Sequence, residues 1–320
     1  MRKTILIAAI VLIAVGTLIF FIPFAASGFS FASFGGKTET NTYAPEGAFS
    51  KIDVSSKEAK IELKPSQDGT ASVVCVEREK VKHVVAVEDG TLKIKVVDER
   101  KWYERWSFFS RTLSVTVYLP AGAYDALTVE SSTGAVIVPA DFSFGEASVV
   151  VSTGDVSFCA DVAGRFGAVA STGDVSLEGL HAGEIRIEVT TGRVKVKSVA
   201  CDGDLFVKVS TGKTILTDVT CQKLDTEGST GDLKLENLIA SESMTIKRST
   251  GDVTFLDSDA PAITVNTSTG DVTGTIRTGK VFVAHASTGT VSVPDPTGDQ
   301  WCEITTSTGD IKIRLSDSGN

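Results

Sequence analysis

The hexapeptide Val151-Ser152-Thr153-Gly154-Asp155-Val156 decides the reading of this chain, because versions of it recur through most of the C-terminal half. The Thr-Gly step returns with its glycine at Gly134, Gly154, Gly173, Gly192, Gly212, Gly231, Gly251, Gly270, Gly289 and Gly309, always 19 or 20 residues apart. Such spacing describes one structural unit stacked on copies of itself. Two and four residues after the glycine stand apolar side chains, as in Val156 and Phe158, Val175 and Leu177, or Val194 and Val196. Ser, Thr and Lys fill the positions between, so the pattern is a strand with one buried face. A second alternating segment approaches the next glycine, as in Ile185 and Ile187, Leu205 and Val207, or Ile263 and Val265. Small polar pairs such as Glu178-Gly179, Glu236-Asn237 and Asp257-Ser258 separate the two segments.

A unit this short has no room for a βαβ crossover, which needs roughly thirty residues. The spacing predicts an all-β chain forming a parallel β-solenoid, one 19–20-residue coil per rung, regular over residues 126–315. Upstream, residues 48–125 alternate less regularly, through Ile52 and Val54, Ile61 and Leu63, Val73 to Val76, Leu92 to Val96 and Leu113 to Leu119. Turn signals at Asp68-Gly69 and Asp89-Gly90 divide them. They read as irregular first coils or as a β cap, since terminal repeats are expected to be atypical. Residues 27–47 read as a polar linker and 316–320 as a tail. Stacked serially, the strand Ile311 to Leu315 becomes the distal rung, open to another strand or subunit unless Lys312 and Arg314 discourage pairing.

At the N-terminus a stub, residues 1–3, precedes Thr4 to Ile22, nineteen residues without a charge. That length spans a bilayer, so residues 4–26 are expected to form one transmembrane signal-anchor helix. Arg2 and Lys3 place the N-terminus in the cytoplasm and the bulk of the chain outside, making a single-pass membrane protein. A cleaved signal peptide is the rival; it expects a shorter apolar core and a small-x-small site, which Pro23 to Ser27 does not offer convincingly. The net charge of −9 argues against nucleic acid as a partner.

The segment Tyr118-Leu-Pro-Ala-Gly-Ala-Tyr-Asp-Ala-Leu-Thr-Val-Glu-Ser-Ser-Thr-Gly134 resembles the junction of the bacterial putative adhesin family, a domain of unknown function whose members carry runs of Ser-Thr-Gly-Asp-Val. The resemblance extends from Phe49 to Leu315 and implies a β-solenoid at the cell envelope with an adhesive or envelope role. It supplies no catalytic residues.

Several side chains are candidates for chemistry. Asp232, Asp252 and Asp271 follow successive corner glycines and would stack as a carboxylate ladder able to hold Ca²⁺, although Arg193 and Lys213 interrupt the column. The structural alternative is turn chemistry: two carboxylates about 4.8 Å apart in water repel by roughly 1 kcal/mol, tolerable without a metal. The Ser-Thr pairs form a hydroxyl ladder that holds the corner and also offers a flat polar face to a glycan. Cys201 and Cys221 stand at the same phase of adjacent coils, within disulfide reach, or are simply small core residues. With 5 cysteines, at least one thiol stays unpaired within the chain. Trp102, Tyr103, Trp106 and Phe109 form the one aromatic cluster, a contact for a partner, a glycan or the membrane, or a plug for the core. His83, His181 and His285 fall at unrelated phases, and neither a triad, a zinc spacing nor a phosphate loop is present.

These observations predict a non-enzymatic protein without cofactor or bound metal, an adhesin-like envelope surface meeting a cell-wall or surface glycan or an envelope protein. The alternative is a regulatory or scaffold subunit in envelope-stress signalling, with its contacts near the membrane. A polysaccharide-active enzyme is the third reading, and no carboxylate stands out for it.

Overall fold

The computed structural model of the chain describes residues 38–101 and 113–316. They form a parallel β-solenoid of about ten turns. The sequence period becomes the rung register directly: Thr153 pairs with Thr172, Thr172 with Thr191, Thr191 with Thr211 and Thr211 with Thr230. Inward positions stack into a continuous core, in which Val149, Val156, Leu177, Val196 and Leu235 have no solvent contact worth the name. Phe144, Phe158 and Phe166 extend through it, the last two with ring centroids 4.6 Å apart.

Two columns of backbone geometry make the coil turn. The corner glycines all have φ between 127° and 150°, a region side chains disfavour. The second column is Gly179, Ser198, Asp218, Asn237 and Asp257, where the four non-glycine residues have φ of 52° to 54°. Short polar side chains tolerate this left-handed conformation because they bond locally to the backbone.

The coils do not stack in chain order at either end. Lys51–Ser56 pairs with both Thr91–Asp98 and Gly122–Thr133, so the first coil lies inside a later one. At the far end Trp301–Thr308 sits between Ala262–Thr269 and Val281–Thr288. Ile311–Leu315 likewise lies between Val272–Ile276 and Val291–Ser292. Serial stacking is therefore corrected: the distal rung is formed by residues 281–292, and the strand Ile311–Leu315 is an internal one. Composition supplies the reason. The inner coil points Cys302, Ile304, Ile311 and Ile313 at the core, all buried, whereas the outer one points Phe282, Ala284, Ala286 and Val293, which pack there only partly buried. Keeping an isoleucine from half-exposure is worth about 1 kcal/mol.

The N-terminal end is capped by antiparallel strands. Val81–Glu88 folds back on Thr91–Asp98, Ser72–Arg78 on Leu113–Leu119, and Thr38–Tyr43 on Ser72–Arg78. Residues 38–43, expected within a linker, are thus a strand; their polar composition hid it, because one face is open to solvent. The boundary expected between residues 125 and 126 falls inside the strand Gly122–Thr133. The expected membrane helix at residues 4–26 lies outside the described residues, among which no helix is long and apolar enough to cross a membrane.

Two outcomes follow. At Gly212, with φ of 142°, a Cβ would stand 1.8 Å from the carbonyl oxygen of Gly192. Gly212→Ala is expected to cost about 3 kcal/mol or more in urea unfolding, while Gly167→Ala, where nothing lies within 4 Å, changes stability by less than about 0.5 kcal/mol. Truncation before Trp301 removes the coil that, among the described residues, alone pairs with residues 281–292. Hydrogen exchange of Val281–Thr288 should then accelerate to that of an unfolded segment, whereas serial stacking would leave it protected.

Candidate functional site

The corner aspartates stack as expected, and each uses its carboxylate within the corner. Asp155 Oδ1 accepts the amide of Asp174 at 2.9 Å, Asp174 that of Arg193 at 2.7 Å, and Asp252 that of Asp271 at 2.9 Å. Asp232 accepts more weakly from Asp252, at 3.3 Å. The exchanged coil order carries the column from Asp271 to the amide of Asp310 and from Asp310 to that of Thr290. Lys213 pairs with Asp232 at 3.5 Å and Lys312 with Asp310 at 2.6 Å. The lysine and the Thr290 amide hold the Asp310 carboxyl down at about 2.

The serine of the corner motif borders a groove of about 520 Å³. Ser210, Ser229, Ser249 and Ser268 form one wall, and Lys208, Glu227, Lys247 and Asn266 the other, over four successive coils. Glu227 bridges its neighbours, 3.7 Å from Lys208 and 3.6 Å from Lys247. Gly228 and Arg248 are among the residues lining the floor. Arg248 takes an inward position of its strand and is 4% exposed. Gly228, one coil away, leaves its side-chain space to that guanidinium, which a Cβ there would strike. Arg248 Nη2 donates to Thr214 Oγ1 at 3.3 Å, but Nε and Nη1 have no partner among the described residues. Burial draws the guanidinium down to about 10, still protonated at neutral pH, against a small opposing pull from Asp232. The groove therefore joins two lysines, the Glu227 that pairs with both, and a buried arginine, on a chain of net charge −9. Sequence reasoning had found the serine column and missed the arginine, whose phase marks it as inward.

Cys201 and Cys221 occupy adjacent coils, as their spacing predicts, and both are buried with unbonded thiols. Cys201 Sγ donates to the carbonyls of Asp204 and Gly183 at 3.5 and 3.7 Å. Burial, with Cys201 beside it, pushes the Cys221 thiol up to about 12. Trp102, Tyr103, Trp106 and Phe109 lie outside the described residues. The stretch entering that segment is clamped: Arg100 binds Asp98 at 2.9 Å and Glu58 at 2.9 Å, and Lys57 reaches Asp98 at 3.4 Å.

A further cluster was not legible from phase. Cys75 and Glu77 alternate onto the inner face of Ser72–Arg78, and the turn after Arg78 returns His83 opposite them. Their ligand atoms all lie within 4.8 Å of one another, the only such group of three metal-ligating side chains among the described residues. Glu77 Oε1 accepts from Asn41 Nδ2 at 2.7 Å and the Tyr43 hydroxyl at 3.1 Å; Oε2 accepts from the His83 amide at 2.7 Å and lies 2.9 Å from Nδ1. Burial pushes the Glu77 carboxyl up, and these donors more than reverse it, leaving it below the usual range.

Residues 49–314 match the family model described as Toastrack DUF4097. No curated protein matches the chain. Among solved structures it is similar to a putative lipid binding protein from Parabacteroides distasonis ATCC 8503, at 15% identity, covering 75% of this chain and 94% of that one with a TM-score of 0.48. A putative adhesin from the same organism is 12% identical over 86% and 97% of the two chains, with a TM-score of 0.45. Another, from Parabacteroides merdae ATCC 43184, is 11% identical over 86% and 96%, with a TM-score of 0.41.

The Arg100 hydrogen bond, opposed by burial, holds the Asp98 carboxyl well below its ordinary range. Its stabilising contribution is present above the unfolded value and disappears as pH falls through the lower folded value. Asp98→Asn is therefore expected to cost about 3 kcal/mol at pH 7. In urea denaturation the difference from wild type should shrink only once the pH drops below about 4.

Proposed function

The chain belongs to the Toastrack DUF4097 family, and from that premise we propose a non-enzymatic protein that displays an adhesin-like binding surface at a bacterial cell envelope. Its ligand is an acidic cell-wall or surface glycan. The observation that carries this reading is the groove between Lys208 and Ser268, which gathers positive charge and hydroxyls on a chain otherwise strongly acidic. A polymer with repeating carboxylates or phosphates meets a surface that itself repeats, so weak contacts on successive coils add through effective concentration. Lys208 and Lys247 supply charge at the rim, and Arg248 supplies it from behind the floor, where low dielectric strengthens its field. The uncharged run Thr4 to Ile22 supports a membrane anchor that holds the solenoid outside the cytoplasm. The corner carboxylates are engaged by backbone amides, as at Asp252 and Asp310.

Binding of the purified full chain to isolated cell wall, and to an acidic wall polysaccharide, tests the proposal. The double substitution Lys208→Glu and Lys247→Glu should weaken retention about tenfold or more, equivalent to about 1.4 kcal/mol. Arg248→Met should weaken it too while raising the urea midpoint, because an apolar side chain relieves an unpaired buried charge. Unchanged retention in both variants sinks the glycan reading. Recovery of a membrane protein of the host instead, insensitive to these changes, favours the regulatory scaffold. Loss of retention on chelating calcium assigns the contact to Asp232, Asp252 and Asp271.

A further inference from the structure

We propose that Cys75, Glu77 and His83 form a structural zinc site that pins the antiparallel cap to the N-terminal end of the solenoid. The three side chains come from a single hairpin, are all buried, and bring a sulfur, an oxygen and a nitrogen within 4.8 Å of one another. That donor set suits zinc: thiolate and imidazole are its commonest ligands, and one carboxylate completes three of four tetrahedral positions.

The surroundings have the form expected around such ligands. Metal-bound carboxylates and imidazoles are held by outer hydrogen bonds that fix orientation and tautomer. Glu77 is held by Asn41 and Tyr43 from Thr38–Tyr43, and the other ring nitrogen of His83, Nε2, lies 3.3 Å from Ser56 Oγ. The partners thus reach into the outermost strand and into the first coil. A metal here would tie three cap strands to the solenoid body.

The nitrogen and oxygen already stand near zinc-ligand spacing. The 2.9 Å between Nδ1 and Oε2 needs to open to about 3.4 Å for tetrahedral zinc with bonds near 2.1 Å. Zinc displaces the Cys75 thiol proton to solvent, and the Nδ1 proton of a neutral ring moves to Nε2, where Ser56 Oγ accepts it. The bound ion and its two anionic ligands are then neutral together, which suits a buried site, and water would take the fourth position.

The purified full chain, prepared with zinc and dialysed against metal-free buffer, is expected to retain about one zinc per chain. Cobalt in its place should give a thiolate-to-cobalt charge-transfer band in the near ultraviolet. Cys75→Ser removes band and metal; His83→Gln weakens binding by about tenfold or more; Cys302→Ser, a buried thiol at the opposite end, keeps both. Folded wild-type protein that holds no zinc and shows no cobalt band overturns the proposal, whatever the fate of the variants. A band that survives Cys75→Ser overturns it as well, by moving the thiolate elsewhere.

Discussion

Everything in this molecule depends on how closely one corner glycine lies on the next. At every corner from Gly154 on, the Cα sits against the carbonyl group of a neighbouring glycine, so that an added Cβ would fall about 2 Å from that oxygen at Gly154, Gly173 and Gly231. Only a residue without a side chain allows the approach, and only one tolerant of positive φ allows the turn. The contact fixes the spacing of the coils, and regular hydrogen bonds follow: the amide of Gly154 donates to Thr172, that of Gly173 to Thr191, and that of Gly192 to Thr211. Once the corners are in register the apolar side chains two and four residues on are in register too. A core one coil thick then extends indefinitely, each rung covered by its neighbours.

The same constraint explains the aspartate that follows so many of these glycines. A carboxylate stacked on a carboxylate repels by roughly 1 kcal/mol in water, and a chain selected for stability alone would avoid the column. Here each carboxylate lies beside the amide of the next corner, and a charge-assisted hydrogen bond outweighs an exposed repulsion of that size. Where the column meets Arg193 and Lys213 the sign changes, and Lys213 turns toward Asp232. Electrostatics on the outside of the solenoid therefore reinforces the corner. Arg248 is the opposite case, a charge on the inside with two donors unmatched. Its cost is the reason to look for a role in the groove it underlies, since folds tolerate such conflicts chiefly where function needs them.

Repeats made the body of the fold legible. Period, turn positions and inward columns all follow from residues such as Val156, Phe158 and Ile187, and the left-handed column at Asp218, Asn237 and Asp257 was announced by its small polar side chains. What the pattern does not carry is order. Every coil has the same alternation, so nothing in the spacing of Gly270, Gly289 and Gly309 says which stacks on which. That choice rests on how much apolar volume each coil brings, a difference between Ile304 and Ala284 rather than a motif. The cluster of Cys75, Glu77 and His83 was hidden for a related reason. It belongs to the hairpin cap, where strands run antiparallel, and a reading by phase of the repeat has no frame there.

Exchange of coils at both ends gives the solenoid a way to stop. A serial stack ends on a rung whose core face is bare, which invites another chain to add on. Placing the coil with the isoleucines one position in from the end leaves a terminal rung whose inward side chains are only partly buried, with Pro294 and Pro296 following it where a further strand would need amide donors. At the opposite end antiparallel hairpins cover the last coil, Ser72–Arg78 pairing with Leu113–Leu119 on the side away from Ala59–Pro65. Both ends thus resist growth. The flanks are where corners and grooves repeat at the spacing of the coils, so the proposed recognition belongs there and matches a polymer lying along the solenoid.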